Sequence, residues 1–235
     1  MRQDRQPDEL RIVGIETSFT KTKGGSVLIS CGDTRVLCTA LLEEGTMPFL
    51  KGTGKGWLTA EYAMLPSSTG NRKKRDGISK DGRSTEIQRL IGRSLRHAID
   101  CQKLGENTIW IDCDVLQADG GTRTASITGA YIALAIGIKR WLAEGRLEVD
   151  PLVHSVAAVS VGIVDGEPML DLCYIEDSHA QVDMNLVMDE SGAFIELQGT
   201  GEGRAFTPNE LDSLIALGKA GIAKLMELQK QAIES

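Results

Sequence analysis

The 235-residue chain reads as an α+β protein: one compact unit made of two similar β-rich halves, roughly residues 10–145 and 150–235, with helices packed on their sheets. Three observations lead there. Each half contains β-rich runs that reverse at a Gly-Asp or Asp-Gly dipeptide, a hairpin signal. Apolar residues at steps of three and four follow those runs. The order is hairpin, helix, strand, helix, then hairpin, strands, helix. Similarity between the halves in sequence is too weak to define a repeat.

The first hairpin joins Ser26-Val27-Leu28-Ile29-Ser30-Cys31 to Arg35-Val36-Leu37-Cys38-Thr39-Ala40 through Gly32-Asp33-Thr34. Residues 45–56 are Gly-rich and loop-like, and Trp57-Leu58-Thr59-Ala60-Glu61-Tyr62 reads as another strand. Residues 66–82 show no periodicity and are mostly Ser, Gly, Asn, Lys, Arg and Asp, as a surface loop is. A helix follows, with Ile87, Leu90, Ile91, Leu95, Ala98 and Ile99 on one face and Arg89, Arg93 and Arg96 on another. From 107 to 116, Ile109, Ile111, Cys113 and Val115 alternate with Trp110, Asp112 and Asp114, a strand with one buried face. It runs through Gly120-Gly121 into a helix from Thr124 to about Ala143, apolar nearly all round and so expected between layers.

After a linker at 144–151, residues 155–164 form a strand that turns at Asp165-Gly166 into Met169-Leu170-Asp171-Leu172-Cys173-Tyr174. Further β-like runs lie at 183–188 and 193–198. The last helix starts at Thr207-Pro208-Asn209-Glu210, where Thr207 caps, Pro208 occupies the first turn and Glu210 completes a capping box.

Composition narrows the function classes. The first nine residues hold no apolar stretch, so no secretory signal is expected, and the run from 125 to 138 is too short for a membrane span. Five cysteines without a CxxC pair fit reduced thiols in a cytoplasmic protein. A formal charge of −7 argues against nucleic acid gripped over the whole surface. A local cationic site is still open, because Arg72, Lys73, Lys74, Arg75, Lys80, Arg83, Arg89, Arg93 and Arg96 fall in one stretch. Aromatic content of 4% leaves few platforms for base stacking; Phe49, Trp57 and Tyr62 are candidates, equally suited to a core.

Two local patterns point to chemistry. At Gly120-Gly121-Thr122-Arg123-Thr124 two glycines allow close backbone approach, the helix start offers N–H groups, and Thr122, Thr124 and Arg123 add donors suited to phosphate. The Walker pattern and its lysine are absent, and a structural glycine turn is the competing reading. At Glu176-Asp177-Ser178-His179-Ala180-Gln181-Val182-Asp183, carboxylates just after a strand could bind Mg2+ or protonate a leaving oxygen. A solvated acidic turn is the alternative there. An arginine facing Arg123 would complete a phosphate clamp, whereas the helix-face arginines suit RNA backbone or a subunit contact.

At these residues the chain resembles the bacterial ribonuclease PH family of phosphorolytic 3′-end processing enzymes. The likeness covers nearly the whole length, including Gly32-Asp33-Thr34, Phe49-Leu50-Lys51-Gly52, Gly82-Arg83, residues 112–129, Glu176-Asp177-Ser178, Asp183-Met184-Asn185 and Gln198-Gly199-Thr200. The resemblance implies a ribosomal protein S5 domain 2-like fold and a homohexameric ring, a trimer of dimers. It implies a cytoplasmic exoribonuclease and nucleotidyltransferase that trims tRNA precursors with inorganic phosphate as co-substrate, releases nucleoside diphosphates and runs in reverse. It places phosphate binding on Arg83, Gly121, Thr122 and Arg123, and catalysis with Mg2+ on Asp177 and Asp183. Arg72, Lys73, Lys74 and Arg75 fall where the family's basic loop contacts RNA and a neighbouring subunit, and Arg89 and Arg93 are further RNA-binding candidates. His179 stands where alanine is commoner in the family.

Overall fold

The computed structural model describes residues 2, 5–74 and 82–235. The first hairpin is present as β2 (Gly25–Cys31) and β3 (Thr34–Glu44), reversing at Gly32 with φ +56°. β1 (Val13–Thr17), which the sequence reading does not anticipate, pairs antiparallel with β2. β4 (Trp57–Met64) lies parallel to β5 (Asn107–Gln117), and β5 lies antiparallel to β3, so the first sheet runs β1-β2-β3-β5-β4. Every second residue of β5 from Ile109 to Val115 is buried, as its alternation requires. Between β3 and β4 the Gly-rich loop contains one 3-10 turn, Pro48–Leu50.

The second sheet, β7-β6-β8-β9, is wholly antiparallel: β6 (Val156–Val164), β7 (Glu167–Leu170), β8 (Val182–Asp189) and β9 (Phe194–Thr200). Here one expectation is corrected. The strand after Asp165-Gly166 ends at Leu170, four residues long, and the segment read as running on to Tyr174 instead enters a short helix, α3 (Tyr174–His179). Asp171 takes a left-handed φ of +54° and ends the pairing.

Helix α1 (Gly82–His97) buries Ile87, Leu90, Ile91 and Leu95 and turns Arg89 and Arg93 to solvent. Helix α2 starts two residues earlier than the apolar pattern indicates, at Thr122, and ends at Ala143. It packs on β2 and β3 of one sheet and on β6 of the other. A helix between two apolar sheets can spare few polar surfaces, and 16 of its 22 residues are buried. One core surrounds it and takes in Val156, Ala158 and Val187 from the second half. A second core lies between β6, β8 and α4 (Pro208–Glu234). The foreseen capping box of α4 is present: the Glu210 N–H donates to Thr207 Oγ1 at 3.3 Å, and the Thr207 N–H donates to Glu210 Oε2 at 2.7 Å. Near the other end of α4, buried Gln229 donates through Nε2 to the carbonyls of Thr128 and Val156, at 2.9 and 3.0 Å. Among the described residues no helix is long and apolar enough to cross a membrane.

Candidate active site

The β5–α2 connection is set by Gly120 (φ +72°) and Gly121 (φ +64°), both left-handed. A Cβ on Gly120 would lie 2.7 Å from the Leu172 carbonyl oxygen, so only glycine lets this turn touch the segment between β7 and α3. Side chains from distant elements hold it. Thr34 Oγ1 donates to the Gly120 carbonyl at 2.6 Å and accepts from the Asp119 N–H at 2.9 Å. Arg11 donates through Nη1 to the Asp119 carbonyl at 2.6 Å, and through Nη2 to Asp171 Oδ1 at 2.7 Å. Both members of the Arg11–Asp171 pair are buried, and the Arg11 N–H also donates to Asp171 Oδ2 at 2.9 Å. The turn is therefore fixed to the second half by a satisfied buried ion pair.

From Gly121 onward, helix α2 begins without a side-chain cap, which leaves its first N–H groups facing outward. Thr122 Oγ1 accepts from the Tyr62 hydroxyl at 2.9 Å, so its own hydrogen is free to donate elsewhere. Burial raises the Tyr62 phenol above its ordinary range, which keeps it a donor. Thr124 departs from expectation: its hydroxyl donates to the Gly121 carbonyl at 2.9 Å, and the residue is buried inside the turn rather than available to a ligand.

The two aspartates come from different elements, Asp177 from α3 and Asp183 from β8. Burial raises the Asp183 carboxyl from its ordinary 3.8 to about 6; Asp177 adds to the rise and Arg123 opposes it. The Asp177 carboxyl is also raised by burial, with Arg83 and Arg123 working against and Glu202 with it. Two carboxylates that disfavour each other's charge in a partly desolvated site are arranged for a shared proton or a divalent cation.

One cavity of about 560 Å³ gathers Arg72, Lys73, Arg83, Gly121, Thr122, Arg123, Asp177 and Asp183. Basic groups and the helix start form one side of its chemistry and the aspartates the other. Arg123 is held at the rim by Gln198 Oε1 (3.0 Å) and Glu86 (3.6 Å). Lys73 is exposed, its Nζ 3.6 Å from Met64 Sδ; Lys74 is exposed outside the lining, and Arg75 lies outside the described residues. Arg89 and Arg93 do not join this cavity. They border a separate one of about 280 Å³ with Arg96, and Arg93 pairs with Glu196 at 2.9 Å. Arg96 lies over the Trp57 ring, 4.5 Å from its centroid, and donates to the Leu58 carbonyl at 3.0 Å.

Several participants escape the sequence reading. Asn185 and Ser160, cross-strand partners on β8 and β6, line the cavity, as does Tyr174. Glu176, read as part of the acidic cluster, is an anchor: its carboxylate accepts from Arg2 Nε (2.6 Å) and Nη2 (2.8 Å), Arg5 Nη2 (3.1 Å) and the Cys173 N–H (2.9 Å). Burial works to raise its pKa, but these donors outweigh it and hold the group at about 2. The N-terminal segment thereby grips α3 one residue before Asp177. His179 is exposed and accounted for locally, with Nδ1 2.8 Å from the Ile175 carbonyl oxygen and 3.1 Å from Ser178 Oγ.

The family model described as 3′ exoribonuclease family, domain 1, matches residues 9–137, and that for domain 2 matches residues 154–221. The chain belongs to the 3′ exoribonuclease family. Within the family it is similar to ribonuclease PH of Syntrophomonas wolfei subsp. wolfei, at 56% identity over 97% of this chain and 96% of that one. Its activity is accordingly that of a phosphorolytic 3′-to-5′ exoribonuclease. The fold is shared with solved structures. Rice Rrp46 superposes with a TM-score of 0.77 at 20% identity over 99% of both chains. A chain of the Archaeoglobus fulgidus exosome with RNA bound to the active site gives 0.78 at 23%, over 95% of this chain and 90% of that one. In this exoribonuclease the two family domains meet at the Gly120-Gly121 turn, which belongs to the first and contacts the second.

Proposed function

We propose that this exoribonuclease trims the 3′ ends of tRNA precursors in the cytoplasm, using inorganic phosphate held at the start of α2. The single observation behind this reading is the convergence of Arg83, the Gly121–Arg123 helix start, Asp177 and Asp183 on one cavity. Phosphate accepts hydrogen bonds from outward N–H groups and the Thr122 hydroxyl, and its charge is met by Arg83 and Arg123. Arg123 turns from Gln198 to the anion. A phosphate oxygen forms a bond to the terminal phosphorus of RNA while the bond from that phosphorus to the 3′ oxygen of the preceding nucleotide breaks. The product is a nucleoside diphosphate and an RNA one nucleotide shorter; the reverse adds a nucleotide from a diphosphate. The departing 3′ oxygen takes its proton from Asp183, whose raised pKa leaves part of the population protonated near neutrality.

The same carboxylate pair fits a divalent cation, because two mutually repelling, half-buried aspartates are relieved by one. This is the alternative to Asp183 as proton donor: with both carboxylates ionised, Asp177 and Asp183 would hold Mg2+, and bound there it supplies neutralisation of the phosphodiester charge. Arg72, Lys73 and Lys74 attract the RNA backbone beside the cavity, with Arg75 beyond the described residues, and Arg89 and Arg93 offer RNA backbone a second, separate contact. The two halves act as one unit of 1–235 around α2, and six copies assemble as a trimer of dimers. Apolar residues left exposed on a single chain, Ile12 and Phe49 among them, suit subunit contacts.

A tRNA precursor with a labelled 3′ extension, incubated with and without phosphate, tests the chemistry. Shortening that needs phosphate and releases nucleoside diphosphates is expected; monophosphates formed in phosphate-free buffer would refute it. Light scattering after gel filtration tests the hexamer, and a monomer at micromolar concentration would overturn that part.

A further inference from the structure

His97 ends α1, His154 precedes β6 and Asp189 ends β8, so three separate elements bring one acid and two imidazoles together. Their potential ligand atoms all lie within 4.8 Å of one another. None of them lines the cavity of the active site. The grouping is fixed by backbone contacts: the Val153 N–H donates to the Ala98 carbonyl at 2.9 Å and the Asp100 N–H to the Pro151 carbonyl at 2.8 Å. The end of α1 and the segment carrying His154 are thus stitched together, and the two rings stack with centroids 4.9 Å apart and planes 14° apart.

Each ligand atom is selected by what its neighbour does. Asp189 Oδ1 accepts three hydrogen bonds, from the Ser191 N–H (2.9 Å), Ser191 Oγ (2.6 Å) and the Ala193 N–H (3.1 Å). Its Oδ2 stands 3.1 Å from His97 Nε2. His154 Nδ1 contacts Glu190 Oε1 at 2.9 Å, and Glu190 Oε2 accepts from the Ser155 N–H at 2.8 Å. A carboxylate on one imidazole nitrogen fixes the ring and leaves the other nitrogen to coordinate, the outer contact that metal-bound histidines commonly show. We propose that His97 Nε2, His154 Nε2 and Asp189 Oδ2 form a second, transition-metal site, of Zn2+ type, apart from the active site. Two imidazoles and one carboxylate are a donor set Zn2+ takes, with the remaining position open to water. Tetrahedral ligands around zinc sit about 3.3 Å apart. To reach that spacing the half-exposed rings of His97 and His154 leave their stacked arrangement and turn their edges onto the fixed acid.

The test is calorimetric titration of the chelator-treated full-length protein with Zn2+, alongside His97→Ala, His154→Ala and Asp177→Asn/Asp183→Asn. The expected result is one site per chain in the wild type. Either histidine variant should weaken it at least about tenfold, the scale on which lost coordination support registers. The double aspartate variant should keep it. Co2+ as probe should give the d–d absorption of a low-coordinate site, bleached by His154→Ala. Because His154 and its partner Glu190 are both half-exposed, His154→Ala should melt in metal-free buffer close to the wild type, which separates lost ligation from lost folding; His97→Ala also strips a partner from buried Asp189 and serves only for the binding comparison. No binding by the wild type, or binding equal in the histidine variants, overturns the proposal.

Discussion

Replacing Asp183 with asparagine should make the protein more stable at neutral pH while destroying its activity. Burial and the Asp177 charge lift the Asp183 carboxyl from 3.8 to about 6. In the window between those values the folded state holds a proton that the unfolded state has released, so stability falls as pH rises. Above pH 6 the full penalty is present. A rise of about two pH units corresponds to about 3 kcal/mol, as an upper bound, at about 1.4 kcal/mol per unit. Asparagine imitates the neutral carboxyl, so its advantage should approach that value at pH 8 and vanish toward pH 4. Urea unfolding followed by tryptophan fluorescence, at matched protein concentration and with chelator present, measures it at both pH values. Added Mg2+ should stabilise the wild type and not the variant, narrowing the difference. A variant no more stable than the wild type at pH 8 would refute the reasoning, because ionised Asp183 would then carry no burial or repulsion penalty.

Arg11→Ala removes one member of a buried ion pair and should cost about 3–5 kcal/mol in urea unfolding. Gly120→Ala drives a Cβ against the Leu172 carbonyl in a left-handed turn; a loss of about 1–3 kcal/mol and a raised KM for phosphate are expected from melting and initial rates. Tyr62→Phe deletes the donor to Thr122 and should cost about 1 kcal/mol in urea, with the KM for phosphate rising a few-fold and kcat largely kept. Arg2→Ala should release Glu176. The folded Glu176 pKa is held down, so its contribution is present above the unfolded value of about 4.5 and fades as pH falls toward 2. The variant should therefore be less stable than the wild type at pH 7 by a margin that narrows toward pH 2.5, leaving there only the loss of the Arg2 bonds to the Gln6, Pro7 and Leu170 carbonyls, by thermal melting.

Long elements were legible in the sequence because one period dominates each. The four-step face of α1, the two-step alternation of β5 and the all-round apolarity of α2 are direct records of which sides are buried. Short ones were not. α3 has six residues and buries none, so no periodicity could mark it, and β1 has five. Around the cavity, residue type and family likeness single out the turn and both aspartates that line it. The separation of roles within the acidic segment could not be read that way. Glu176 differs from Asp177 because Arg2 reaches it from 174 residues away, and Thr124 differs from Thr122 because its hydroxyl bonds back to Gly121. Arg89 and Arg93 share a helix face with each other but not with the cavity, a distinction made by the direction of α1 rather than by sequence distance.

Helix α2 begins at the glycine turn and then passes between both sheets, with Gln229 fastening it to the last helix. A site mounted on such a member cannot loosen by itself. The hydrogen-bonded amides of its buried middle turns, beyond the uncapped first one, should exchange hydrogen only through opening of the whole molecule, at the slowest rates in the protein. Heat inactivation should then coincide with the calorimetric transition instead of preceding it.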